Sequence, residues 1–140
     1  MPSKNGGKKL KKITKTKSLK KLKKEAEELV HRYVRERALD FRGYAQCYTC
    51  RKDVPKEQLN AGHRHHNKLD LDLRNLKAQC IRCNNWLHGN LGEYERHLIE
   101  DYGLEWATKL KQDADRDKGI KDPRVLEEII EAYKLLLQNL

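Results

Sequence analysis

Hydrophobic positions in the first third of the chain recur at steps of three and four. Leu22, Ala26, Leu29, Val30, Tyr33, Val34, Ala38 and Phe41 line one face, with Lys23, Lys24, Glu27, Glu28, Arg32, Arg35 and Glu36 opposite. The pattern predicts an amphipathic helix that Ser18 can cap and Gly43 ends, with an apolar stripe that must pack against something. Between Tyr44 and Asn75 the periodicity breaks up. Pro55, Asn60, Gly62 and Asn67 punctuate short alternating runs such as Leu69-Asp70-Leu71-Asp72-Leu73, which reads as a cysteine knuckle, a two-stranded hairpin and a loop.

A short helix is expected from about Ile81 to near Gly89 and Gly92. Another follows from about Glu93 to Asp101, with Tyr94, Leu98 and Ile99 apolar and Gly103 as the break. Leu104, Trp106, Ala107 and Leu110 continue as a further short helix, and the polar stretch from Asp113 to Lys121 reads as a loop. Asp122-Pro123 is an N-cap followed by the residue best suited to the first helical position. The last helix carries Leu126, Ile129, Ile130, Tyr133, Leu136, Leu137 and Leu140, a stripe wide enough to pack on the first helix or on a second subunit. The predicted fold class is therefore α+β and mostly helical. It divides into a basic tail (1–18), an N-terminal helix (19–43), a metal-stapled core (44–92) and a helical extension (93–140).

Charge changes the picture because of where it sits. Eleven lysines and no acid occupy residues 1–24, while the rest of the chain is nearly balanced, 20 basic residues against 21 acidic. A lysine tract of this density favours a polyanion whose counterions are released on binding, which points to nucleic acid. Its few apolar anchors argue against a membrane-surface segment. Hydrophobic and charged residues each make up 37% of the chain, so the core is modest and a metal staple would make up part of the deficit. No stretch approaches the roughly 20 apolar residues of a membrane span. With no apolar leader after the basic start, a cytoplasmic protein is expected.

The chemistry is concentrated around four cysteines. Cys47-x-x-Cys50 and Cys80-x-x-Cys83 each present two thiolates to one ion, and two such turns complete a tetrahedral zinc site. The 29 residues between Cys50 and Cys80 exceed ordinary ribbon spacing, so a segment leaves the knuckles and returns, displaying something. It carries Ala61-Gly62-His63 at an expected strand end. His63 suits the removal of a proton from water, since imidazole titrates near working pH. Asn84 directly follows the last cysteine and offers the hard oxygen that Mg²⁺ or Mn²⁺ accepts. Asn75 lies where a carboxamide can bond two backbone groups and lace a loop shut.

Taken together, Cys47-x-x-Cys50, Ala61-Gly62-His63, Asn75-x-x-x-Gln79-Cys80-x-x-Cys83-Asn84, Gly89-Asn90-Leu91, Tyr94 and Gly103 resemble the NinG (Rap) recombination nucleases of lambda-type phages, a branch of the HNH or ββα-metal endonucleases. The resemblance covers roughly residues 20–112. It implies a zinc-pinned hairpin plus helix that cuts branched recombination intermediates, including Holliday junctions and displacement loops. By matching positions, His63 is the general base, Asn75 the loop-lacing residue and Asn84 a ligand of the catalytic Mg²⁺ or Mn²⁺. Cys47, Cys50, Cys80 and Cys83 hold structural zinc.

Many HNH enzymes carry a second metal ligand just before the base, where this chain has Gly62. His65, on the same side as His63 if the segment is extended, and His88, four residues after Asn84 on a helical face, are the foremost substitutes, with Asp70 and Asp72 behind them. Lys8, Lys9, Lys11, Lys12, Lys20, Lys21, Arg64, Arg74, Lys77 and Arg82 are the expected DNA contacts. A homodimer is expected because junction resolution cuts two strands symmetrically, and no small-molecule cofactor is expected. Two rival readings stay open: a non-catalytic zinc module that binds nucleic acid, and a homing or restriction HNH nuclease acting on duplex DNA.

Overall fold

The computed structural model describes residues 17–140. Lys8, Lys9, Lys11 and Lys12 lie outside the described residues; Lys20 and Lys21 are exposed at the start of the first helix. That helix, α1, spans Leu19–Ala38, and the Ser18 hydroxyl accepts the Lys21 N–H at 3.2 Å as the N-cap. It stops five residues short of Gly43, because Asp40 takes over the backbone. Its carboxylate accepts from the N–H groups of Arg42 (2.9 Å) and Tyr44 (3.2 Å), closing a turn that competes with the helix. Phe41, assigned to the apolar stripe by its spacing, is consequently 99% exposed.

Two antiparallel hairpins follow. β1 (Tyr44–Gln46) pairs with β2 (Asp53–Pro55), and their connection is the first knuckle. β3 (Leu59–His63) pairs with β4 (Leu76–Cys80) in the register Leu59 with Cys80 and His63 with Leu76. The sequence predicts one hairpin; the additional one, β1–β2, encloses the first knuckle and is only three residues per strand. The alternating Leu69–Leu73 run forms turns and not a strand. Beyond the second knuckle lies a single π-helical turn, Arg82–Trp86, where a short helix was expected.

The remaining helices are α2 (Leu91–Tyr102), α3 (Leu104–Arg116) and α4 (Pro123–Gln138). Gly103, at φ +97°, breaks α2 from α3 in a conformation that favours glycine. α3 runs on through residues expected to be loop, since Ala107, Leu110 and Ala114 keep the helical spacing and are all buried. Asp122 caps α4 by accepting the Arg124 N–H at 2.9 Å, with Pro123 at the first helical position.

α1 is the spine. Leu22 and Ala26 pack with Leu126 and Ile130 of α4, while Val30 and Val34 pack with Ala61 and Leu76 of the β3–β4 hairpin. The last helix therefore covers the first, leaving Leu135, Leu136 and Leu140 exposed. A third cluster (Tyr94, Leu98, Leu110) joins α2 to α3, and a fourth surrounds the cysteines. No helix among the described residues is long and apolar enough to cross a membrane.

Leu126 is fully buried, so Leu126→Ala is expected to cost roughly 2–5 kcal/mol in urea unfolding. Phe41→Ser is expected to stay within about 0.5 kcal/mol of wild type. A large loss for the second variant would contradict the exposed turn.

Candidate functional site

Cys47 and Cys50 sit just beyond β1, Cys80 ends β4, and Cys83 lies in the π-helical turn. Their sulfur atoms all fall within 4.8 Å of one another, which no other group of three or more His, Cys, Asp or Glu achieves among the described residues. Four sulfurs each about 2.3 Å from a tetrahedral zinc stand about 3.8 Å apart. The Cys50–Cys80 separation is 3.8 Å, far beyond a disulfide. The cluster can hold a zinc ion.

Donors surround these sulfurs. The Thr49 hydroxyl lies 3.4 Å from Cys47 Sγ, the Cys83 N–H donates to Cys80 Sγ at 3.4 Å, and the Asn90 amide donates to Cys83 Sγ at 3.6 Å. Burial opposes ionisation of Cys47, yet hydrogen bonds from Thr49 and from backbone N–H groups bring its thiol down to about 6. Burial pushes Cys80 up to about 12, and the Cys47 charge adds to that. Donors aimed at sulfur favour thiolate, the form that binds metal.

Gln79 links this cluster to the hairpin. Fully buried, its amide donates to Thr49 Oγ1 at 3.1 Å and to the Gly89 carbonyl at 2.8 Å, joining both knuckles. Its Oε1 occupies the space beside Gly62, where a Cβ would stand 1.7 Å away. Position 62 is therefore glycine for a steric reason: the amide fills the place of a side chain. Tyr94, also fully buried, donates to the Gly62 carbonyl at 2.8 Å and tethers the end of β3.

His63 closes β3, and its side chain is 20% exposed. Its Nε2 is buried, has no hydrogen-bond partner among the described residues and lies 3.5 Å from Asp70 Oδ1. The ring meets the edge of His31, from α1, with centroids 5.3 Å apart at 74°. Burial lowers the pKa of both imidazoles, so each favours the neutral form. Glu27, one turn before His31, is raised by burial and by Asp70.

Asn75 is fully buried and holds the excursion between the strands. Its Oδ1 accepts from the His65 N–H at 2.8 Å, and its Nδ2 donates to the carbonyls of His65 (3.0 Å) and Lys68 (2.8 Å). Asn84 lies half-buried in the π-helical turn, with Nδ2 donating to Asn85 Oδ1 at 3.3 Å and its own Oδ1 uncommitted among the described residues.

The two foremost substitute metal ligands are not placed as expected. β3 ends at His63, so His65 lies in a bend, acted on by Arg64, Glu95, Lys111 and Asp115, whereas His63 feels His31, Asp70 and His66. The extended geometry that would have put them on one side is absent. His88 follows the end of the π-helical turn at φ +51° and is exposed, so it shares no helical face with Asn84.

Among the expected phosphate contacts, Arg64 pairs with Glu95 at 2.6 Å, and Arg74 with Asp72 (2.7 Å) and Asp113 (2.8 Å). Lys77 lies over the rings of Tyr48 and Tyr102. Arg82 is exposed and meets no carboxylate among the described residues. Sequence reading missed His31 altogether. It sits beside Val30 on the edge of the stripe, and nothing in a helical period marks such a position as facing a particular loop.

With this arrangement described, the family follows: residues 3–140 match the profile of the Bacteriophage Lambda NinG protein, and the chain belongs to that family. It is 31% identical to protein ninG of Salmonella phage P22 over 99 residues, which is 68% of this chain and 46% of that protein. Protein ninG of Escherichia phage 933W is 30% identical over 68% of this chain and 47% of its own length, and that of Escherichia phage lambda 29% over 68% and 46%. The chain thus spans about half the length of the curated relatives it matches. No solved structure matches it.

Metal analysis is expected to return about one zinc per chain, and Cys80→Ser to abolish stoichiometric binding. Gly62→Ala is expected to destabilise the fold by roughly 1–3 kcal/mol through overpacking against Gln79. Thermal unfolding of the zinc-loaded protein checks it, and an unchanged midpoint would refute the steric reading.

Proposed function

We propose that this protein is a metal-dependent endonuclease of HNH type that hydrolyses phosphodiester bonds in branched DNA such as Holliday junctions and displacement loops. The observation that carries the reading is the hairpin: His63 ends its first strand, the second strand runs into a cysteine knuckle, and the next turn bears Asn84. Membership of the NinG family supports it.

His63 removes a proton from water as the water attacks phosphorus; the bond from phosphorus to the 3′ oxygen breaks, the 3′ oxygen takes a proton from solvent, and the other product keeps a 5′ phosphate. Neutral imidazole keeps one ring nitrogen bare, and that lone pair takes the proton. Asn75 fixes the backbone that follows His63, and so the direction of the ring. Asn84 Oδ1 suits Mg²⁺ or Mn²⁺, which bind few protein oxygens and retain several waters. When bound, such an ion screens the charge that builds on phosphate. Lys20, Lys21, Lys77 and Arg82, with the lysines of the tail, supply phosphate contacts. A homodimer would allow symmetric cutting of two strands.

Nicking of four-way, flap and linear duplex DNA with Mg²⁺ or Mn²⁺ tests the reading. Branched substrates are expected to be cut in preference, and His63→Ala to lose about 10²- to 10⁴-fold in rate. Equal cutting of linear duplex would remove the branched-DNA claim. Binding without any metal-dependent cutting would favour a non-catalytic zinc module. Because burial lowers the His63 pKa, the acid limb of the rate profile is expected below the ordinary imidazole value of about 6.5.

A further inference from the structure

The environment of His63 brings together two rings and a carboxylate from three separate elements. Two imidazole nitrogens, Nε2 of His31 and Nε2 of His63, are buried without hydrogen-bond partners among the described residues. Buried polar atoms are nearly always satisfied, and exceptions mark strain or function. Their rings come from distant elements, α1 and β3, and meet edge to face. Asp70 comes from a third element, the excursion laced by Asn75, and brings its carboxylate to 3.5 Å from His63 Nε2.

We infer that Asp70 and His31 are positioning residues for His63, a role that rests on the endonuclease reading for its effect on rate but not for its effect on the ring. Asp70 supplies the acceptor that selects the Nε2–H tautomer. At 3.5 Å the pair is poised and tightens with a small rotation, as catalytic hydrogen bonds do when substrate arrives. His31 walls off the α1 side of the ring and keeps water from Nε2, so that Asp70, whose backbone also acts on both rings, is the acceptor within reach. Neutral His31 is the form that can do this, since a cation there would draw the carboxylate to itself.

The other charged groups around the pair are compatible with that role. Glu27 lies on α1 one turn before His31, Arg35 acts on His31 from one turn after it, and His66 acts on His63 from the loop. Each of these influences the pair, but among the described residues only Asp70 is in ion-pair contact with His63. The excursion is held to the body by Asn75 and by Asp117, which accepts the Leu69 N–H at 2.8 Å. Asp70 is therefore carried on an anchored segment.

Nitrogen-15 imidazole NMR of the zinc-loaded full chain, with His63 assigned through His63→Ala, tests the claim without any need for cutting. Wild type is expected to show His63 protonated at Nε2 and bare at Nδ1. Asp70→Ala is expected to bring in the other tautomer, Asp70→Glu to restore the first, and His31→Phe, which keeps the wall, to resemble wild type, while His31→Ala resembles Asp70→Ala. Where the protein cuts DNA, Asp70→Ala is expected to lower kcat on the order of 10- to 100-fold with little change in KM. Circular dichroism confirms that each variant is folded, and Asp70→Asn serves if the alanine variant is not. Unchanged His63 nitrogen shifts in folded Asp70→Ala and His31→Ala would overturn the inference. Tautomer shifts in a protein that cuts nothing would uphold it and discard the endonuclease reading.

Discussion

Four sulfurs, two from each end of a long excursion, meet closely enough to hold one cation, and the rest of the structure is arranged around that meeting. Thiolates packed within 4.8 Å of one another repel strongly unless a metal neutralises them. The two knuckles belong to different hairpins. Bringing them together fixes where β4 ends, and the pairing of Leu59 with Cys80 then fixes where β3 begins, with five residues of antiparallel register ending at His63 opposite Leu76. His63 is placed by the far end of a register that the cysteines set.

Gln79 transmits this placement over a short distance. Its amide reaches Thr49 beside one knuckle and Gly89 beyond the other, and its remaining oxygen fills the space at Gly62. The cost is one buried carbonyl oxygen without a hydrogen-bond partner among the described residues. A side chain at position 62 would displace the amide and loosen the contact between knuckles and hairpin. The small residue before His63 is thus a consequence of the packing around the cysteines, and its lack of a ligating group follows from the same contact.

Much of this was legible in the sequence, because helical periods and cysteine spacing are local. The stripe from Leu22 to Val34, the Asp122-Pro123 start and the paired knuckles are all in the structure. What the sequence hid arises from competition or from distance. Asp40 ends α1 early by offering its backbone a side-chain acceptor, which helical periodicity does not register. The π-helical turn replaces a longer helix because Cys83 and Asn84 follow a strand so closely that the chain must turn at once. His65 and His88 were set beside His63 and Asn84 by assuming that a strand and a helix continued, and neither does. His31 and Asp70 could not be connected to His63 from spacing, since the contact joins three separate elements.

Charge is divided in a way that bears on the proposed activity. Within the described residues, Arg64, Arg74, Arg42 and Arg96 are all engaged by carboxylates of this chain. They hold loops and helices in place, and drawing one away to a phosphate would leave its carboxylate partner unpaired. Residues 1–24 carry eleven lysines with no acid to engage them within that segment. Lysine contacts to phosphate supply affinity without reading sequence. On the endonuclease reading, attraction and alignment therefore belong to different parts of the chain: the tail raises the local concentration of any polyanion, and the metal-pinned hairpin decides which phosphate meets His63. A protein built so would discriminate among DNAs by shape at the hairpin, because nothing in its basic segment could tell one duplex from another.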